Sequence, residues 1–315
     1  MNILITGAAG FIGRAILTES LLNKTKWGLD NITGVDWDRS LCSEVQSSLS
    51  LTDRELMCMD FASIECLTGI ISKRYDCIIH LAALPRVAYS VENPRKTDEN
   101  NIQKSVALLE ACLSSGTPMV FASSSSVYGG AENIPTKETE PLNPVSPYAL
   151  QKATFEKYLE IYEKLKKYKS IRLRFFNVYG PGQSGKSAYS TVLSSWMYKL
   201  KNNLPLTIEG DGCQRRDFCY IDDVVNACLL SVTKIETIQG VFNVASGINY
   251  SCNDVLSYIK VKFGENSITL DQKPVREGDV RETSADISSI KNALGYYPQT
   301  EFWKGVDNTI SWWFH

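Results

Sequence analysis

The chain has 315 residues, 43% of them hydrophobic and 22% charged, enough for one large domain with a smaller companion and a cleft between them. Its 33 basic side chains are matched by 35 acidic ones, for a formal net charge of -2, and no unbalanced basic stripe is left to hold a nucleic acid. No apolar run approaches the roughly 20 residues that span a bilayer, and Met1 leads directly into an apolar stretch without a signal-peptide pattern, so the sequence predicts a cytoplasmic protein with no membrane attachment whose fold begins at residue 1.

Short apolar runs of strand length alternate with longer helical patterns through the first half, which is the signature of a parallel sheet. Strands are predicted at 2–6, 32–36, 55–59, 76–80, 118–123 and 171–176, and helices at 11–23, 62–73, 99–115 and 147–168. The predicted fold class is therefore α/β, a doubly wound parallel sheet of the Rossmann kind, with its ligand crevice at the carboxyl ends of the strands. Beyond Phe176 closely spaced glycines and prolines break the rhythm. A dinucleotide-binding domain is predicted over 1–176, with return segments near 214–245, and a smaller α/β substrate lobe over 177–315. Lys and Glu at helical spacing between Lys152 and Lys169 read as a solvated helix face. The terminal Trp312-Trp-Phe314 reads as closing a core.

The nine cysteines are odd in number, scattered and mostly set in apolar segments, and so read as reduced core thiols. None form a Cys-x-x-Cys pair, and with His80 and His315 as the only histidines no metal is expected. His80 itself reads as structural.

The first strand runs into Gly7-Ala-Ala-Gly10-Phe11-Ile12-Gly13 and then a helix. Gly7 permits a tight turn, Gly10 lets the backbone approach a pyrophosphate, and Gly13 lets the helix pack on the strand with its N-terminus facing the anion. The second strand ends in Asp36, placed to bond the adenosine ribose and repel a 2′-phosphate, which favours NAD over NADP. The alanines of Leu81-Ala82-Ala83, after the fourth strand, let a dinucleotide lie against the backbone.

Three further segments complete the pattern: Ser123-Ser124-Ser125-Ser126-Val-Tyr128-Gly129, Tyr148-x-x-x-Lys152, and Leu173-Arg-Phe-Phe-Asn177-Val-Tyr-Gly-Pro181. Tyr148 and Lys152 are four residues apart and so share a helix face. A free tyrosine is only about a thousandth phenolate at pH 7, and an adjacent ammonium favours that form. With these marks in place, the sequence closely resembles the epimerase/dehydratase branch of the extended short-chain dehydrogenase/reductases, along almost its whole length, and among them the UDP-hexose 4-epimerases.

The resemblance implies residue roles. Tyr148 would be the general base on the sugar C4 hydroxyl, Ser124 the hydroxyl bridging sugar oxygen and tyrosine, and Lys152 the group that holds the nicotinamide ribose and depresses the tyrosine pKa. Ser126 would add a contact to the sugar. Asp60 and Phe61 would touch the adenine, although Asp60 serves equally as a helix N-cap, and Asn101 would support the sheet near the nicotinamide. Asn177, Arg216 and Arg276 would hold the diphosphate, a surface ion pair being the plain alternative for either arginine, and Tyr220-Ile-Asp-Asp223 would form a strand-to-helix junction. Dehydratases of the branch carry Asp-Glu after the Ser/Thr and uronate decarboxylases a Glu; Ser125-Ser126 here leaves epimerisation at C4, with NAD tightly held. Thr283, at the position of the hexose-pocket gate, is small and admits a 2-acetamido group, so UDP-GlcNAc/UDP-GalNAc is favoured with UDP-glucose/UDP-galactose close behind. The stretch Gly185-Lys-Ser-Ala-Tyr189 resembles the substrate loop of acetamido-sugar epimerases.

Two departures stand out: Leu84-Pro-Arg-Val87 after His80-Leu-Ala-Ala83, and Glu209 where related enzymes often have an aromatic. A UDP-glucuronate 4-epimerase is the main rival reading, with Arg86 as the cation for the uronate; a dehydrogenase with exchanging NAD and a non-catalytic NAD-binding regulator are the others. The resemblance also implies a homodimer through the helices at 99–115 and 147–168.

Overall fold

The computed structural model describes residues 1–186, 191–275 and 280–315. Seven parallel strands build its central sheet: β1 (Asn2–Thr6), β2 (Asn31–Asp36), β3 (Leu56–Cys58), β4 (Cys77–His80), β5 (Met119–Ser124), β6 (Ser170–Phe175) and β7 (Gly240–Val244). Their order across the sheet is β7-β6-β5-β4-β1-β2-β3, so the chain reverses direction of travel beside β1 and opens a crevice at the carboxyl ends of β1 and β4. Both faces are covered, which is why the strands read as continuous apolar runs. Ile3 and Ile5 join one core and Leu4, between them, the other, as the two-residue period of a strand requires.

Side-chain caps start some of the helices on those faces, but not the first. α1 (Phe11–Leu22) starts at Gly10 with no side-chain cap, leaving its first N–H groups open to the crevice. α2 (Arg39–Leu49), which the sequence reading missed, starts where the Asp38 carboxylate accepts from the N–H groups of Ser40 and Leu41 at 3.0 and 3.1 Å. α3 (Ile64–Ile71) is capped by Ser63. α4 (Val87–Glu92) is a second missed helix; after it the chain runs through Pro94–Asp98 and a π-helical turn, Glu99–Gln103, into α5 (Lys104–Ser115). α6 (Pro147–Lys166) is capped by Ser146 with Pro147 in its first turn, a favourable start on both counts.

The chain from 177 onward does not stay apart from the sheet. α7 (Ile221–Lys234) packs on α1, and β7 pairs with β6. The rest forms a smaller lobe, in which Leu206–Glu209 pairs with Leu270–Lys273 and Arg215–Asp217 with Asn249–Ser251. Phe302 anchors this lobe, stacked on Tyr250 and Phe218 at 4.2 and 5.0 Å between ring centroids. Of the terminal aromatics, Trp313 is half-buried against the edge of the core and Phe314 packs on Phe263, while Trp312 is 48% exposed; Trp312 and Trp313 also lie on the cleft wall.

Candidate active site

A cleft of about 1400 Å³ runs along the carboxyl edge of the sheet between the two lobes. At one end the turn after β1 brings Gly7, Gly10, Phe11, Ile12 and Gly13 onto its wall. Gly7 has a φ of +71°, and a Cβ on Gly13 would lie 2.1 Å from the Gly7 carbonyl oxygen. The loop therefore wraps tightly against the uncapped start of α1 and forms a cradle whose backbone a side chain at Gly13 would force apart. Asp36 closes this end: its carboxylate accepts from the Ala9 N–H at 3.1 Å and the Asp38 N–H at 3.2 Å. Burial pushes its pKa up, against those hydrogen bonds.

Asp60 and Phe61 line the same end. Asp60 accepts from the Ala62 N–H at 2.9 Å and pairs with Lys104; the N-cap of α3 is Ser63, so the capping alternative for Asp60 falls away. Leu81, Ala82 and Ala83 follow β4 on the wall. Asn101 is not on it. Its side chain accepts from the Leu84 N–H at 2.8 Å and donates to Gln151 at 2.9 Å, so it clamps the loop after β4 to α6 from behind. His80 is 1% exposed, hydrogen-bonded to Thr6 and Ser105 at 2.7 and 2.9 Å, and held neutral by burial, which drops its pKa to about 3.

At the centre of the cleft stand Ser124, Ser126, Tyr148 and Lys152. Ser124 caps the 3₁₀ turn Ser125–Tyr128, and its Oγ accepts from the Ser126 N–H at 3.2 Å and hydroxyl at 2.9 Å. Ser124 and Tyr148 share this stretch of the wall. The phenol is pushed up to about 12 by burial, with the neighbouring Ser124 and the Arg86 charge acting to lower it. This differs from the sequence expectation, in which Lys152 supplied the cation. Lys152 instead donates to the Ala122 carbonyl at 2.6 Å and lies 5.9 Å from the Tyr148 ring centroid. Burial brings Lys152 down to about 7, with Glu156 pulling it back up.

Glu156 departs from the solvated-face account of α6 in the same way: it faces inward against Arg174, and Glu163 pairs with Arg172. Ser123, at the end of β5, donates to Glu156.

Asn177, Arg216 and Thr283 line the far side. The Thr283 hydroxyl receives the Asn177 amide at 3.4 Å and the Asp217 N–H at 3.3 Å. Adjacent Arg215 turns away to Asn249, at 2.8 Å, and Asp254, leaving Arg216 as the arginine of that pair on the wall. Arg276 and Tyr189 lie outside the described residues. Glu209, on the strand Leu206–Glu209, is not among the residues on the wall. Tyr220 and Asp223 form the predicted junction, Asp223 accepting from the Gln299 N–H at 2.7 Å. Wall residues the sequence reading passed over include Trp37, which follows Asp36 and is 54% exposed, and Arg14, whose guanidinium donates to the Gly182 carbonyl. Their positions directly after Asp36 and Gly13 were the available signal.

The model of the NAD dependent epimerase/dehydratase family matches residues 3–245. The chain belongs to that family. It is 35% identical to an uncharacterized UDP-glucose epimerase of Bacillus subtilis, over 99% of this chain and 98% of that one. Among solved structures it is similar to the UDP-glucose 4-epimerase of Thermotoga maritima with UDP-glucose, at a TM-score of 0.87 and 32% identity over 99% and 98% of the two chains. It is also similar to the UDP-glucuronic acid 4-epimerase of Bacillus cereus with UDP-glucuronic acid and NAD, at 0.88 and 30% over 99% of each. The cofactor of the family is NAD, and the cradle at Gly7–Gly13 with Asp36 at the end of β2 fits its pyrophosphate and ribose.

Proposed function

We propose that the chain interconverts the C4 epimers of a UDP-sugar through a transient 4-keto sugar, as an isomerase that keeps its NAD. The observation that carries this reading is that Ser124, Tyr148 and Lys152 stand together on the wall of the cleft and that serines, not acids, follow Ser124. Among the described residues, the carboxylates on the wall are Asp36, Asp38, Glu44 and Asp60 around the glycine cradle, then Glu92 and Glu282. Glu282 is engaged by the Asn249 amide at 2.6 Å, and Glu92 is exposed. Neither replaces the acid that elimination would need beside Ser124.

When bound, NAD supplies a reversible acceptor for the C4 hydrogen and its electron pair. Tyr148 takes the C4 hydroxyl proton and returns it, and Ser124 steadies the sugar oxygen with Ser126 behind it. Lys152 holds the nicotinamide ribose. Gly7, Gly10, Phe11, Ile12 and Gly13 receive the pyrophosphate, Asp36 the adenosine ribose, and Asp60 with Phe61 the adenine, while Leu81, Ala82 and Ala83 form a flat floor. Arg216 and Asn177, with Arg276, grip the UDP diphosphate, so that the hexose turns while the nucleotide stays fixed. In this division residues 1–176, with the return segment near 214–245, hold the dinucleotide and 177–315 mainly the sugar nucleotide.

The exposed Leu150, Ile161 and Leu165 of α6 support a homodimer through that helix, which the mass of the protein in solution tests. No helix among the described residues is long and apolar enough to cross a membrane, and the nine free cysteines support the reducing cytoplasm as its compartment. The experiment for the reaction is direct: the NAD-loaded protein is given a UDP-sugar and the products are resolved by NMR. A 4-epimer with no dehydrated or oxidised product supports the reading, and steady reduction of added NAD contradicts it.

A further inference from the structure

Arg86 shares the cleft wall with Tyr148 and Ser124, and its position is set by the same element that holds the tyrosine. It is the N-cap residue of α4. The backbone N–H of Tyr148 donates to the Ser90 hydroxyl at 3.0 Å, and the Ser90 N–H donates to the Arg86 carbonyl at 2.9 Å. Ser90 is fully buried. Two hydrogen bonds therefore join the main chain of Arg86 to that of Tyr148, which fixes the point from which the guanidinium extends into the cleft beside the base. Each side chain feels the other: burial lowers the Arg86 pKa while Tyr148 raises it, and Arg86 lowers that of Tyr148.

The chemistry of the sugar says what such a cation meets. A base acting on the C4 hydroxyl sits beside C5 as well, and the exocyclic C6 is two bonds from the reacting carbon. A hydroxymethyl group there gives a half-buried guanidinium a neutral acceptor, whereas a carboxylate gives it two charge-assisted bonds. Thr283, which from sequence favours an acetamido sugar, accepts from the Asn177 amide and the Asp217 N–H and keeps one O–H to donate, a single neutral contact beside the charge that Arg86 offers. We propose that Arg86 reads the substituent at C6 and that the preferred substrate is a UDP-hexuronate. This rests on the C4-epimerase reading and narrows it.

The test compares UDP-glucuronate, UDP-glucose and UDP-N-acetylglucosamine on the NAD-loaded wild type, Arg86→Gln and Arg86→Lys, reading kcat/KM and, by calorimetry, Kd. The wild type is expected to prefer the uronate, and Arg86→Gln to cut the ratio of uronate to glucose kcat/KM by about 10–100-fold, the size of a lost hydrogen bond to a charged group. Arg86→Lys should recover part of that ratio. A wild type that prefers either neutral sugar, or an Arg86→Gln change equal for all three, overturns the assignment. If no sugar is epimerised, the C4 reading fails, and the Kd values still decide for Arg86: a uronate preference present in the wild type and lost in Arg86→Gln upholds it, and equal affinities overturn it.

Discussion

Glu156 grips Arg174 at 2.6 Å one helical turn behind Lys152, with the two side chains 6% and 5% exposed. Around this pair, Arg174 also donates to the Tyr128 hydroxyl at 2.8 Å, and that hydroxyl donates to Asn243 at 2.7 Å. The network ties α6, β5, β6 and β7 together directly under the reaction centre. Glu156→Gln leaves a buried guanidinium without its counter-charge, and a loss of about 3–5 kcal/mol in denaturant unfolding is expected. Replacing both partners, Glu156→Leu with Arg174→Met, is expected to recover much of that loss; a double variant no better than the single one would deny that the pair acts as a unit.

His80 makes the fold acid-sensitive. An unfolded histidine protonates near pH 6.5 and the folded one only near 3, so between those values the unfolded chain binds the extra proton. Stability from this group is complete above about pH 6.5 and falls as pH drops toward 3, by about 1.4 kcal/mol per pH unit. Asp217, pushed up to about 6 by burial, works in the opposite sense between pH 6 and 4. The informative quantity is thus the difference between wild type and His80→Gln, whose unfolding free energy should vary less with pH over this window; parallel curves would remove His80 from the account.

Gly13→Ala should abolish NAD retention while leaving the circular dichroism of the fold recognisable. The added Cβ would meet the Gly7 carbonyl at 2.1 Å and Ala8 Cα at 2.7 Å, both backbone atoms that yield only if the cradle itself shifts. Dinucleotide content after gel filtration measures this, and a variant that keeps its NAD would show that the cradle is elsewhere.

Tyr148→Phe should lower kcat by about 10²–10⁴-fold, the usual worth of a positioned acid–base group, with UDP-sugar affinity within a few-fold of wild type. An unchanged kcat would remove Tyr148 from the chemistry.

The sheet was legible because strands covered on both faces are largely apolar, as β1, β4 and β5 are, while β6 alternates, with Arg172 and Arg174 set between Ile171, Leu173 and Phe175. β3 was read too from a short run, and the glycine turn and the Tyr148–Lys152 spacing marked the cleft. What escaped notice were features set by tertiary packing. α2 is rich in serine and weakly apolar, and only Asp38 announced it. Asn101, expected to support the sheet near the nicotinamide, clamps the loop after β4 to α6 from behind the wall, because the π-helical turn Glu99–Gln103 aims it at Leu84 and Gln151. Arg86, noticed in the sequence only as a partner for a uronate, sits at the N-cap of α4 as the cation that lowers the Tyr148 pKa, while Lys152 is drawn to the Ala122 carbonyl. Glu156 read as surface charge because helical spacing gives a face and not the residue opposite it.

The central claim is that the C4 hydrogen leaves with its electrons and returns to the same carbon while Tyr148 handles only the hydroxyl proton. UDP-glucuronate and UDP-glucose labelled with deuterium at C4 test it most directly, in ordinary water with the NAD-loaded protein. Product epimer that keeps the deuterium at C4 is the predicted result; replacement of the label by solvent hydrogen would contradict it.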